Sequence, residues 1–296
     1  MVAAILNGTA STIADGLHVG LTRDQYEAIP AINYSTLKLF SRSPAHAREY
    51  MIHPPKPTEA MDFGTACHTA ILEPMRFDRE YVLAPEEIGD DGQLHHVTRR
   101  SNTGKATWAA FEEANRGKGV LSREEMEACR GISEAIYRHS VAKELLSAPG
   151  KTELAAIWTD PKTQLRCKAL LDRFTRHAGW PVIVDLKTTE DARPREFMRG
   201  LVRYSYHEQA AFYIEGLRVL APGRRKWRWV VTEKDRPFGV AVYEPDDEML
   251  EEGHFLFREH LDQFAECQAS GVWPSYPEGI ETLTLPRWAK SEQEAV

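Results

Sequence analysis

The stretch Trp180-Pro-Val-Ile-Val-Asp-Leu-Lys-Thr-Thr189 restricts the fold more than any other part of the sequence. Val182, Ile183 and Val184 are β-branched and apolar, with Gly179 and Pro181 before them and polar residues after. That pattern predicts a short buried strand. Alternation of side chains then puts Asp185 and Lys187 on one face and Leu186 on the other. Taken alone, the two charges fit a plain ion pair as well as a metal ligand beside a cation that orients a nucleophilic water.

The segments before this strand shift the choice. Residues 153–159 (ELAAIWT) and 165–173 (LRCKALLDR) read as strands joined by a turn at Asp160-Pro-Lys-Thr163. Glu153 starts the first of them. Asp172 ends the second, and antiparallel pairing across residues 175–179 brings it to Asp185. Two carboxylates that close repel unless a cation lies between them, which favours the metal.

Helices account for most of the remaining chain. Residues 61–74 (MDFGTACHTAILEP) suit a helix that packs closely through Gly64 and Ala66. His68 lies within it, and a histidine in such a place is more often a core residue than a ligand unless carboxylates converge on it. Met126, Cys129, Ile132, Ile136 and Leu145 form a helical stripe behind the Ser122/Glu125 capping pair. A helix over residues 206–220 puts Gln209 and Tyr213, four apart, on one face. Residues 226–232 and 238–243 read as a hairpin, and a long helix runs to about Ser270. Residues 84–105 read as a long polar loop whose adjacent His95 and His96 make a poor metal pair.

Composition sets outer limits. Apolar residues at 42% and charged residues at 27% describe an ordinary soluble globular protein. No apolar run approaches the roughly 18–20 residues that span a bilayer, so no membrane partner is expected. Cys67, Cys129, Cys167 and Cys267 include no C-x-x-C pair, which argues against a zinc site and for a cytoplasmic protein with reduced thiols. The net charge of −7 speaks against bulk coating of nucleic acid, although carboxylates clustered to bind cations would themselves lower it. Residues 1–30 read as a loosely ordered leader, and residues 31–296 as one domain with a helical N-terminal part and a C-terminal tail.

Several phrases occur together and in order: Ser35-Thr-Leu-Lys38 with Ser43-Pro44, Phe63-Gly-Thr-Ala-Cys-His68, Lys168-Ala-Leu-Leu-Asp-Arg173, Val184-Asp-Leu-Lys-Thr-Thr189, Tyr206-His-Glu-Gln-Ala-Ala-Phe-Tyr213 and Trp273-Pro-Ser-Tyr-Pro277. In this the chain resembles the PD-(D/E)xK nuclease superfamily, specifically its RecB-like branch and the RecE-type phage exonucleases. The resemblance runs from about residue 33 to 289. It implies an α/β fold with a restriction-endonuclease-like core, a mixed central β-sheet flanked by helices. It also implies roles: His68, Asp172, Asp185 and the Leu186 carbonyl as ligands of Mg²⁺, with Mn²⁺ also accepted. Lys187 would orient or help deprotonate the attacking water. Gln209 and Tyr213 would support the site or hold a phosphate, with Glu153 as a supporting residue or outer ligand. Relatives with an iron–sulfur cluster carry one cysteine near the Ser-Pro segment and three near the C-terminus. Here Pro44 follows Ser43 and only Cys267 lies late, so no cluster is expected.

The activity implied is digestion of linear duplex DNA from 5′ ends, leaving 3′-ended strands for a single-strand annealing partner, with a homo-oligomer as the working form. Arg193, Arg195, Arg199 and Arg203 after the central strand, and Arg228 in the hairpin, are candidate phosphate contacts. Trp227 and Trp229 flank Arg228 and suit core packing better than base stacking. An endonuclease, a single-strand exonuclease and an inactive DNA-binding scaffold are the alternatives.

Overall fold

The structure is a computed structural model that describes residues 13–55, 58–89 and 91–285. The first half of the chain comprises β1 (Gly16–His18), α1 (Arg23–Ala28), α2 (Tyr34–Leu37) running into a 3-10 turn (Lys38–Ser41), α3 (Pro44–Ile52), α4 (Glu59–Leu72), α5 (Pro74–Glu80), β2 (Tyr81–Leu83), β3 (Glu86–Ile88), β4 (Leu94–His96), α6 (Asn102–Ala114), β5 (Gly119–Leu121), α7 (Arg123–Arg138) and α8 (Ser140–Ser147). There follow β6 (Gly150–Thr159), β7 (Arg166–His177), β8 (Trp180–Thr189), α9 (Pro194–Arg203), α10 (Tyr206–Leu220), β9 (Lys226–Glu233), β10 (Val240–Tyr243) and α11 (Asp247–Ser270). Helix starts sit where capping side chains allow them. Ser122 and Glu125 close a reciprocal capping box on α7, Ser43 caps α3 with Pro44 in its first turn, and Asp246 caps α11. Gly271, at φ 73°, ends α11 in the left-handed conformation that glycine adopts without strain.

Six strands form the central sheet in the order β1-β6-β7-β8-β9-β10. Every pairing is antiparallel except β8 with β9, and that one parallel pair is bridged by α9 and α10. The expected mixed sheet flanked by helices is therefore what forms. β8 is its centre and is buried on both faces. Val182, Val184 and Leu186 pack with Ala66, Ala70, Ile132 and Ile136 from α4 and α7. Ile183 packs on the other side with Phe212, Leu217 and Phe257 from α10 and α11. Trp227 and Trp229 are 1% exposed, so the core packing expected of them holds.

The β7–β8 ladder is regular from His177↔Trp180 to Arg173↔Val184 and then stops. Beyond that point β7 and β8 diverge, and the entry to α2 fills the fork. Ile32 N–H donates to the Arg166 carbonyl at 2.8 Å, and Lys168 N–H to the Ile32 carbonyl at 2.8 Å. The fork gives residues 32–38 a place beside the C-terminal half of β8.

Two stretches differ from their plain sequence reading. Within residues 84–105 the chain forms the antiparallel β3–β4 hairpin, where Gly92 takes φ 74° and Gly89 N–H donates to the Gln93 carbonyl. This corrects the reading as a long polar loop: residues 86–88 and 94–96 pair as a short, largely exposed hairpin, and the glycines that looked like loop punctuation make its turn. Residues 1–12 of the expected leader lie outside the described residues. Of its later part, β1 joins the sheet edge, and the Lys168 ammonium, on a residue only 2% exposed, donates to the carbonyls of Tyr26, Glu27 and Ile29 at 2.9, 3.1 and 2.8 Å. That is the C-terminal end of α1, where unpaired carbonyls collect and a cation is favoured.

Candidate active site

Asp185 and Lys187 share a face of β8 as alternation requires, and α10 covers them. Asp185 is 5% exposed. Lys187 Nζ lies 2.5 Å from Asp185 Oδ2 and 3.3 Å from Gln209 Oε1, and 4.6 Å from the centre of the Tyr206 ring. The contact with Asp185 is electrostatic without the alignment of a hydrogen bond, so Oδ2 is buried with no hydrogen bond of its own. Burial pushes the Asp185 carboxyl up to about 6, with Lys187 pulling it down and Asp172 pushing it further up. Burial acts on the Lys187 ammonium in the opposite sense, and the charges of Asp185 and Asp172 outweigh it, so its pKa is raised. At neutral pH both groups are charged.

Asp172 stands where the ladder ends. The next pair outward from Arg173↔Val184 would be Asp172 opposite Asp185. Instead the Asp172 Oδ2 accepts the Leu186 N–H at 2.7 Å. His68 Nδ1, on α4, lies 3.7 Å from the same oxygen. Residues 104 positions apart in the chain thus meet because Ala66 and Ala70 let α4 lie close against β8. Glu153 enters from the other side. Thr152↔Arg173 and Leu154↔Leu171 flank it, and Glu153 itself leaves the ladder with φ 48°. A left-handed backbone at a residue other than glycine costs on the order of 1–3 kcal/mol and concentrates at functional sites. Its carboxyl is raised to about 7, by burial first and then by Asp172 and Glu73, against Arg23 and Arg76. Tyr213 is one turn beyond Gln209; burial lifts its phenol to about 12 while Gln209 pulls the other way.

Whether these residues fit a divalent cation turns on their donors. Among the described residues no three His, Cys, Asp or Glu side chains close around one point as a preformed cage. The donor chemistry nevertheless fits. Asp185 Oδ2 is buried with no aligned hydrogen bond, and Asp172 pushes up the carboxyls of both Asp185 and Glu153, so the acidic groups outnumber the Lys187 ammonium. Hard oxygens supplemented by solvent are what Mg²⁺ takes, and one imidazole suits Mn²⁺.

Three residues at the site carried no assignment in the sequence. Tyr206 precedes Gln209 by three positions on the same helical face and lies against Lys187, a spacing that would have marked it. Tyr204 stacks on Tyr206 with ring centres 5.7 Å apart. Lys38 follows Tyr34 by one turn, and the Tyr34 hydroxyl donates to the Ser205 carbonyl at 2.9 Å, next to Tyr206. Burial and the charge of Lys187 lower the Lys38 pKa. Only the fork between β7 and β8 brings that segment here.

The candidate phosphate contacts divide. Arg193 is bonded to Asp191 and Arg199 to Glu196, both within three residues, and Arg228, on β9, to Glu244. Arg203 lies over the Tyr204 ring at 5.6 Å, and Arg195 is exposed in the first turn of α9.

Residues 33–286 match the family described as "PDDEXK-like domain of unknown function (DUF3799)". No curated protein matches the chain. Among solved structures, a crystal structure from Eubacterium rectale described as a "putative exonuclease" is 12% identical, covers 91% of this chain and 96% of that one, and has a TM-score of 0.57. At that identity the likeness shows the fold alone. A crystal structure of SSO0001, 17% identical over 57% of this chain and 68% of that one, has a TM-score of 0.29 and carries no argument.

Proposed function

The chain belongs to this PDDEXK-like family, and on that premise we propose that it is a divalent-metal-dependent exonuclease acting on linear duplex DNA. The observation that supports the reading best is the setting of Lys187. Its ammonium is held by Asp185, Gln209 and Tyr206 within reach of a second, half-buried carboxylate, Asp172. A structural ion pair would need only one of these partners.

In this reading Asp172, Asp185, His68 and the Leu186 carbonyl hold Mg²⁺ or Mn²⁺. The chemistry that such a cation supplies is polarisation of a phosphodiester and a bound water of lowered pKa. Lys187, kept cationic by its two carboxylates, orients the attacking water and the phosphate oxygen it approaches. Gln209 fixes the rotamer of Lys187, and Tyr213 backs Gln209. Glu153, beside Asp172, acts as a supporting residue or an outer ligand. Arg195 and Arg203, which have no carboxylate partner among the described residues, take the flanking phosphates. The finer reading is the RecE-type one: digestion from 5′ ends in the cytoplasm, release of 3′ strands to an annealing partner, and a homo-oligomer that encloses the duplex. It rests on the ordered motifs of residues 33–289.

The test uses end-labelled linear duplex and covalently closed circular duplex with Mg²⁺ or Mn²⁺, for the wild type and Lys187→Ala. Loss of linear DNA alone is expected, reduced on the order of 10²–10⁴-fold in the variant. Cleavage of the closed circle would replace the exonuclease by an endonuclease. Absence of hydrolysis with either metal would leave a DNA-binding scaffold.

A further inference from the structure

Beside Lys187 lies a cavity of about 140 Å³. Its walls are Phe197 and Gly200 of α9, Tyr204 and Tyr206 at the α9–α10 junction, and the Thr188–Thr189 end of β8, with Lys234 at the rim. None of the groups assigned to metal binding lines it. The volume suits one heterocyclic ring and excludes a length of folded chain.

The junction is built to present aromatic faces. Ser205 takes φ 55°, a left-handed backbone at a residue other than glycine, and that turn sets Tyr204 and Tyr206 side by side at an interplanar angle of 28°. The Tyr34 hydroxyl pins the Ser205 carbonyl from the opposite side. Tyr206 is committed to Lys187, whereas Tyr204 is 48% exposed at the cavity mouth. Arg203 hangs 5.6 Å from the Tyr204 ring centre, wider than a stacked contact, so a planar ligand can displace it and leave the guanidinium free for a phosphate. Lys187 and Lys234 also line the cavity, with Glu190 paired to Lys234 at 2.9 Å. Gly200 adds no side chain to the wall, and a Cβ there would meet nothing within 4 Å.

We propose that this cavity receives the base of the nucleotide next to the scissile phosphate, stacked on Tyr204 and unpaired from its complement. The inference rests on the nuclease reading and adds to it a base-dependent subsite that does not read sequence. Every base offers a π-face, so stacking there tolerates any sequence. Tyr204 is accordingly a positioning residue that aligns the strand so that the phosphodiester meets Lys187.

The experiment pairs the full chain as wild type, Tyr204→Ala and Tyr204→Trp with two end-labelled duplexes. One is intact, and the other carries abasic nucleotides at the labelled end. Hydrolysis gives kcat and KM, and fluorescence anisotropy in EDTA gives binding. The wild type is expected to prefer the intact end on the order of tenfold, mainly in KM. Tyr204→Ala should lose that preference, and Tyr204→Trp should retain it. Equal preference in wild type and Tyr204→Ala would overturn the subsite, as would failure of Trp to restore it. If no metal supports hydrolysis, the nuclease reading fails, and the anisotropy comparison still decides the subsite.

Discussion

The crossing of α11 over the start of α10 is set by backbone contact, and a one-methyl substitution measures it. A Cβ on Gly253 would lie 2.5 Å from the His207 carbonyl oxygen and 3.0 Å from the Glu208 nitrogen, where ordinary contact begins at 3.4 Å. Backbone cannot swing aside as a side chain can, so in Gly253→Ala the start of α10 backs away by roughly 0.9 Å, an overpacking that costs about 1–3 kcal/mol. Alanine returns about 1 kcal/mol of helix propensity, which leaves a net loss of up to about 2 kcal/mol. Thermal unfolding should then fall by up to about 6 °C for a chain of this size. His207 is two residues before Gln209, so the same shift loosens the 3.3 Å contact with Lys187. Misplacement near 1 Å lowers turnover by up to about 100-fold. Gly200→Ala is the control, because its Cβ meets nothing within 4 Å and should raise stability by about 0.5–1 kcal/mol. Circular-dichroism melts of the two variants, with DNA hydrolysis for Gly253→Ala, give the answer. A Gly253→Ala protein as stable and active as wild type would refute the claim that helix contact positions Gln209.

Three further outcomes are expected. Millimolar Mn²⁺ should raise the melting temperature of the wild type, by about 2.7 kcal/mol of stabilisation at 100 times the dissociation constant, and leave Asp185→Asn unmoved; an equal shift in both would remove Asp185 from the metal site. Asp160 is 1% exposed, and although burial raises its carboxyl, the hydrogen bonds from Arg258 and Thr163 hold it below the usual value. Its contribution is therefore complete above about pH 3.9 and lost as pH falls through the folded value, so Asp160→Asn should cost about 3 kcal/mol at pH 7 and flatten the acid side of the stability profile, measured by urea titration. Lys168→Met should strand the carbonyls of Tyr26, Glu27 and Ile29, at about 1–3 kcal/mol, and limited proteolysis should then cut before residue 30 while β6–β9 stays protected.

What the sequence determined by itself is local. The β-branched run of β8 forces a strand, and once it is a strand, alternation makes Asp185 and Lys187 neighbours on one face. Ser122 with Glu125, Ser43 with Pro44, and Asp246 placed the starts of α7, α3 and α11 for the same reason, since a cap and its partner lie within one turn. Tertiary structure decided which distant groups joined them. The ladder stops at Arg173↔Val184, and only that stop lets Asp172 take the Leu186 N–H and opens the fork that admits Tyr34 and Lys38. The arginines show the same limit from the other side, because a guanidinium takes the nearest carboxylate that packing offers. For Arg193 that is Asp191, two residues away, and for Arg228 it is Glu244, on the far side of the β9–β10 hairpin. Periodicity fixes the direction of a side chain along its own element; what it meets depends on how elements a hundred residues apart are packed, and at β8 that packing turns an ordinary Asp-x-Lys triplet into a buried, doubly acidic site.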